Sequence, residues 1–360
     1  MNRREFVSVS GTAAAGLATL RPASAAPATP MLMKLGCQTT PTNEQHIRYL
    51  ARYGVQAICG FPQVPPDRLY ATADELKAMR EMAEKNGVTV DLIAPPFLAS
   101  ISVDRDRHAA IMLGESPERD RDIEQLQTLI RNCAAAGIPA IKYNLCIVGD
   151  LRTGRIPGRG DCTYSAWRLE DSHQAGMTRA GRVDADTYWE RVTYFLNRII
   201  PVAQEYKVRM ALHPNDPYVP DGYQGVDGVL GTVDGLKKFI AINESPYHGL
   251  NFCQGTVCEM LENPANEIYD IIRYFGSRQK IFNVHFRNIR GHRNDFVEVY
   301  PDEGDIDFVK AMQVYKEIGY PYMMMPDHVP QSTADPSGLQ SFAYCYGYIR
   351  ALMQSVDRLG

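Results

Sequence analysis

The sequence predicts a (β/α)8 barrel, and three observations carry that expectation. After residue 30, a short β-rich run, a polar turn and an amphipathic helical stretch recur eight times. Glycine closes helices just before the next apolar run, as in Tyr53-Gly54-Val55, Asn86-Gly87-Val88, Ala136-Gly137-Ile138 and Ile318-Gly319-Tyr320, because a helix stops readily at a residue that accepts positive φ. Eight such units in about 330 residues is the count of a closed barrel. A doubly wound open sheet is the alternative, but it normally binds its ligand at a glycine-rich first turn. The first turn here is Cys37-Gln38-Thr39-Thr40-Pro41, without that glycine pattern.

In chain order the strands are predicted over 31–38, 55–61, 88–94, 139–145, 208–213, 249–253, 281–285 and 322–327. Helices are predicted near 43–53, 72–86, 118–136, 184–206, 233–243, 264–275, 305–318 and 337–355. Two connections exceed what a bare barrel needs. Residues 149–182 follow the fourth strand and hold six Gly and six Arg, and residues 215–231 follow the fifth and are rich in Gly, Asp and Tyr. Long connections after strands lie on the catalytic face of such a barrel, so both read as candidate lids.

The N-terminus stands apart from this repeat. Met1-Asn2-Arg3-Arg4-Glu5-Phe6-Val7 places two arginines before an uncharged stretch, and Arg21-Pro22-Ala23-Ser24-Ala25 supplies an A-x-A cleavage pattern. Residues 1–25 therefore resemble a twin-arginine (Tat) export signal, which directs the protein to the periplasm or another extracytoplasmic space. Residues 26–360 form a single catalytic domain in this reading. The uncharged run of 15 residues is short of the roughly 18 that a spanning helix needs, so no stable membrane anchor is expected.

Composition narrows the function classes. With 45% hydrophobic and 22% charged residues, the chain has ample core-forming material and is neither low-complexity nor disordered. The formal charge is −4, and cleavage after Ala25 removes three Arg and one Glu to leave −6. No run of Lys and Arg is present, which argues against a nucleic-acid partner that relies on phosphate neutralisation. A chain of 360 residues needs no covalent staple, so its eight Cys are expected to be mostly thiols, with at least one a metal ligand.

The chemistry is concentrated at the ends of the last four strands. The fifth ends Leu212-His213-Pro214, the sixth Phe252-Cys253-Gln254, the seventh Val284-His285-Phe286 and the eighth Pro326-Asp327-His328. In a closed barrel these ends sit side by side on one rim, so His213, Cys253, His285 and Asp327 can converge on one ion. Two imidazoles, a thiolate and a carboxylate suit a divalent ion such as Mn²⁺, Fe²⁺, Co²⁺, Ni²⁺ or Zn²⁺ better than Mg²⁺ or Ca²⁺.

These motifs resemble the mannonate dehydratases of the metal-dependent, xylose-isomerase-like barrel type. The resemblance rests on Leu212-His213-Pro214-Asn215-Asp216-Pro217, the Cys253 segment from Gly249 to Thr256, His285-Phe286-Arg287 and Pro326-Asp327-His328. Lys142-Tyr143-Asn144, with Asp150 and Arg152 beyond, resembles the family's Tyr-Asn motif. It covers roughly residues 31 to 354. It implies a Mn²⁺-like ion held by His213, Cys253, His285 and Asp327, with His328 and a tyrosine of the last helix handling protons. The family's tyrosine falls by spacing on Ala343, and Tyr344 is its assigned counterpart. Where the family carries a Trp-containing motif, the first strand reads Lys34-Leu35-Gly36-Cys37-Gln38.

The implied activity is dehydration of D-mannonate to 2-keto-3-deoxy-D-gluconate, a sugar-acid hydro-lyase reaction. His328 is the candidate acid or base because it adjoins Asp327. Arg287 is the first choice to anchor the substrate carboxylate, with Arg152 second, since a guanidinium matches a carboxylate bidentately. Asn144 is the candidate for substrate hydroxyls. The expected assembly is a homo-oligomer, in its simplest form a dimer. An epimerase, isomerase or keto-sugar lyase on the same barrel is the competing reading, but no Glu closes any of the last four strands. A periplasmic sugar-binding protein would need no four-donor rim, and a DNA-repair nuclease would need a basic groove.

Overall fold

The computed structural model describes residues 31–173 and 176–359, so the export segment read over residues 1–25 lies outside the described residues. Eight parallel strands close into a barrel: β1 (Lys34–Cys37), β2 (Ala57–Gly60), β3 (Thr89–Ile93), β4 (Ala140–Asn144), β5 (Arg209–His213), β6 (His248–Cys253), β7 (Ile281–His285) and β8 (Met323–Met325). Each strand pairs with its neighbours in sequence, and β8 closes on β1 with Lys34 opposite Met323.

Each strand is followed by one principal helix: α1 (Glu44–Arg52), α2 (Ala73–Lys85), α3 (Glu118–Ala136), α4 (Ala185–Tyr206), α5 (Val233–Ala241), α6 (Pro264–Ser277), α7 (Phe308–Glu317) and α8 (Leu339–Leu359). Their starts are chemically marked. Asn43, Thr72, Asp184, Thr232 and Asp307 each accept a backbone N–H of the first turn, an interaction typically worth about 1 kcal/mol. Gly137 ends α3 at φ +73, which is why glycine stands at that stop. Along α4 the buried Tyr188, Val192, Phe195, Leu196, Ile199 and Ala203 recur at helical spacing and seat it on the barrel.

The barrel interior fixes what its mouth can hold. Ala57, Cys59, Leu92, Ala140 and Ala211 belong to an inner apolar cluster. On β4, Lys142 and Asn144 share the face of Ala140, and on β5 His213 shares that of Ala211, because side chains two apart point the same way. Small residues below therefore leave polar ones rising into the mouth.

The segment 149–182 is not a bare loop. It contributes the antiparallel strands Gly154–Pro157 and Cys162–Arg168. They join a second sheet with Asn288–His292, Asp295–Val299 and Gln331–Ser332, so excursions after β4, β7 and β8 are stitched together above the barrel. The hairpin over 288–299 lies between elements that the sequence reading identified and was not expected. Its turn is marked by Asn294 at φ +68. All eight cysteines are free thiols. Among the described residues, no helix is long and apolar enough to cross a membrane.

Candidate metal centre and catalytic cavity

The four strand-end residues come together as their positions predict. His213, Cys253 and His285 are the last residues of β5, β6 and β7, and one donor atom from each, with one from Asp327, all lie within 4.8 Å of one another. Asp327 lies two residues past the end of β8, which stops at Met325. The chain has thus already turned into the loop, and His328 is freed from strand alternation.

The donor chemistry fits a divalent ion. His213 Nδ1 lies 2.7 Å from the Pro214 carbonyl, so Nδ1–H donates there and the Nε2 lone pair is left for a ligand, the arrangement that commonly orients metal-binding imidazoles. His285 Nε2 lies 3.2 Å from the Asn251 amide. Its buried Nδ1 has no hydrogen-bond partner and stands 3.2 Å from Asp327 Oδ1. Cys253 Sγ is 3.5 Å from Asp327 Oδ2. Burial pushes His213 down to about 3, helped by His285 and Lys142, and pushes His285 down to about 4. Both imidazoles are therefore neutral at pH 7, as ligands must be. Burial raises the Cys253 thiol, so a cation is needed to draw the thiolate out. Asp327, although buried, is held well below the usual carboxylate range by His285 and His328.

Beside this quartet lies a second group of buried acids, Asp216, Glu259 and Glu298, whose oxygens also lie within 4.8 Å of one another. Arginines occupy it. Arg287 Nη2 meets Asp216 Oδ2 and Glu259 Oε1, each at 2.9 Å, and its Nη1 contacts Glu298. Arg152 Nη1 lies 2.6 Å from Asp216 Oδ1, and its Nε donates to Glu298 at 3.2 Å. Thr256 Oγ1 donates to Asp216 at 2.8 Å. Gly255 makes room for this core: a Cβ there would fall 2.3 Å from Arg287 Nε.

His328 joins the two groups. Its Nδ1 is 2.7 Å from Glu298 Oε1, while Nε2 is 3.9 Å from Asp327 Oδ2. The side chain is 42% exposed and lines the cavity at the barrel mouth with Lys142, Asn144, His213 and Asp327. Against the effect of burial, Glu298 and then Asp327 hold its pKa up at about 9. With Nδ1–H donated to Glu298, Nε2 is the nitrogen left for chemistry.

The remaining expected residues divide. Asn144 is near the cavity as expected, its amide 3.3 Å from the Leu98 carbonyl. Arg287 is only 3% exposed and is surrounded by carboxylates, so its guanidinium is not presented to a substrate as the sequence reading had it. Arg152 reaches the cavity wall but is likewise paired with Asp216 and Glu298. Tyr344 stands outside: its ring is packed against Tyr300 at 5.4 Å between centroids, with the Arg159 guanidinium 5.3 Å above it. The α8 side chain that lines the cavity is Phe342. The sequence reading gave no role to Glu259, Glu298, Gln38 or Lys142. Asp216, inside the His213 motif, and Gln38, at the first turn, were visible as motif members. Glu298 was hidden in the unexpected hairpin.

Fold and site together define an α/β barrel of the xylose-isomerase-like type with a four-donor centre at its mouth. A xylose isomerase domain protein from Planctomyces limnophilus shares the fold, with a TM-score of 0.59 at 14% identity over 91% of this chain and 99% of that one. The chain belongs to the D-mannonate dehydratase (UxuA) family, a family of metal-dependent hydro-lyases, whose model matches residues 165–359. It is 29% identical over 326 residues to a mannonate dehydratase from Thermotoga maritima, covering 79% of this chain and 86% of the relative. It is 28% identical over 283 residues to mannonate dehydratase 2 from Halalkalibacterium halodurans, covering 71% and 78%. The crystal structure of mannonate dehydratase from Streptococcus suis serotype 2 superposes with a TM-score of 0.77 at 25% identity, over 91% of this chain and 94% of that one.

Proposed function

We propose that the protein dehydrates D-mannonate to 2-keto-3-deoxy-D-gluconate with one divalent ion, Mn²⁺, held by His213, Cys253, His285 and Asp327. The observation that carries this reading is the convergence of those four buried donors beside His328, which lines the same cavity. The bound ion supplies a Lewis acid that offsets negative charge developing on the substrate carboxylate when the α-proton leaves.

The chain's own residues do the rest. Glu298 fixes the His328 ring through Nδ1, so His328 Nε2 is the group that moves a proton, at substrate C2 or on the departing C3 hydroxyl. Asn144 offers its amide to substrate hydroxyls. Walls of Phe342 and Thr40 narrow the cavity around these groups. Loss of the C2 proton and the C3 hydroxyl leaves an enol that tautomerises to the 2-keto-3-deoxy acid, and one water is released.

Mass spectrometry of the product from D-mannonate and Mn²⁺ tests the reading. Loss of one water is expected, and an unchanged mass would replace dehydration by epimerisation or isomerisation. Export by the twin-arginine route to the periplasm and a homodimeric state complete the proposal. Arg3→Lys with Arg4→Lys is expected to hold the precursor in the cytoplasm, and sedimentation of the purified protein is expected to give the mass of two chains.

A further inference from the structure

A sugar acid brings a carboxylate, and the two arginines best placed to receive it are already committed to Asp216, Glu259 and Glu298. Lys142 differs from both. It stands midway along β4, above Ala140 of the inner apolar cluster, and shares one cavity with His213, Asp327 and His328. Its Nζ donates to Gln38 Oε1 at 2.9 Å, and Gln38 Nε2 donates to Asp327 Oδ1 at 2.7 Å. Among the described residues, no carboxylate lies within 4.0 Å of that Nζ. Gln38 thus links the Lys142 ammonium directly to Asp327, a member of the four-donor centre.

Resting on the sugar-acid reading above, we propose that Lys142 is the carboxylate anchor, its ammonium donating to one substrate carboxylate oxygen while Gln38 stays on Asp327. The α-proton lies one carbon from that carboxylate. The anchor must therefore share a cavity with the four-donor centre and with His328, and Lys142 does. The competing cation is Arg155, on the outer hairpin. It is exposed and held by neutral partners, Thr163 and Ser165, and it lines the outer part of the mouth, where His213 does not reach. Arg155 is placed to meet the far end of a six-carbon chain, not its carboxylate.

The test compares wild type, Lys142→Gln and Arg155→Gln in the Mn²⁺-loaded enzyme, with bound metal quantified in each. Lys142→Met, which keeps the apolar stem without the ammonium, serves if the Gln variant does not fold. Loss of a charge-assisted hydrogen bond is expected to raise KM for D-mannonate roughly 10–100-fold. Metal content is expected to stay at the wild-type level. Inhibition by mannitol, which has the chain but no carboxylate, is expected to change less than about twofold; a general distortion of the cavity would weaken both ligands. An unchanged KM in the Lys142 variants, or a larger rise in Arg155→Gln, overturns the assignment. A wild-type enzyme that leaves D-mannonate unreacted instead removes the substrate reading, and the anchor with it.

Discussion

Two clusters lie side by side at the barrel mouth and differ in what fills them. The quartet of His213, Cys253, His285 and Asp327 is rich in acceptors, has no cation among its members, and leaves a buried His285 Nδ1 without a hydrogen-bond partner. The trio of Asp216, Glu259 and Glu298 is just as tightly gathered, but Arg152 and Arg287 pass between its members. Convergence of acids alone therefore does not mark a metal centre. What marks it is the donor set, two imidazoles held neutral and a thiol beside a single carboxylate, all converging on one point. The quartet is built to receive a cation, and the trio is built to hold side chains in place.

The sharpest way to break this comparison is to remove one member of the quartet. Cys253→Ala or His285→Ala is expected to abolish stoichiometric metal binding and turnover while the fold persists, since neither side chain is a member of the arginine-filled acid cluster. Metal analysis, turnover and a thermal melt check this together. Full metal occupancy and activity in both variants would move the centre elsewhere.

His328 belongs to both clusters, and its replacement separates them. His328→Asn leaves all four donors in place, so metal content is expected to stay near the wild-type value. Turnover is expected to fall by about 10²–10⁴-fold, the usual contribution of a general acid or base. Loss of metal in this variant would make His328 a support for Asp327 instead.

The trio answers to a different measurement. Arg287→Met leaves Asp216 and Glu298 buried with one guanidinium fewer. Breaking a buried pair by removing one partner typically costs about 3–5 kcal/mol. The variant is expected to show that loss in denaturant unfolding even without metal, which a residue reserved for substrate would not.

How legible these clusters were in the sequence follows from how they are built. The quartet was readable because equivalent positions on successive barrel strands become spatial neighbours, so His213, Cys253 and His285 needed only correct strand ends. The eight-unit repeat was readable for the same local reason, through caps such as Thr72 and stops such as Gly137. The trio was not, because its members come from three separate excursions: Asp216 after β5, Glu259 after β6 and Glu298 on the hairpin after β7. Arg287 was credited to substrate because a guanidinium matches a carboxylate, but Glu259 and Glu298, the acids that claim it, lie on excursions the strand pattern does not bring together.

Acid should also distinguish the metal-free quartet. Histidine in an unfolded chain ionises near 6.5, whereas His213 and His285 in the fold are pushed down to about 3 and about 4. Between those values the unfolded chain binds more protons, so their contribution to stability is complete above about pH 6.5 and is lost as pH falls. Near pH 5 the two together are expected to lower stability by roughly 2 kcal/mol per pH unit. Denaturant midpoints of metal-free protein between pH 7 and pH 5 measure the slope. Replacing both histidines by Gln is expected to reduce the slope, leaving the part that belongs to His248, which burial also pushes down to about 4.

The smallest expected effect concerns Tyr344, and helix geometry determines it. Phe342 faces the cavity from α8, and successive residues turn by about 100°, so a position two further on points about 200° away. Tyr346, four residues from Phe342, returns to the same side, where its ring stacks on Phe342 at 6.1 Å and its hydroxyl donates to Cys37 Sγ at 3.1 Å. Tyr344 is left on the outer face, 40% exposed, against Tyr300 and Arg159. Its hydroxyl therefore has no route to the proton that His328 Nε2 faces. Tyr344→Phe is expected to keep kcat and KM within about twofold, since surface changes away from special features usually alter little. A fall approaching that of His328→Asn would show that α8 turns Tyr344 inward during catalysis.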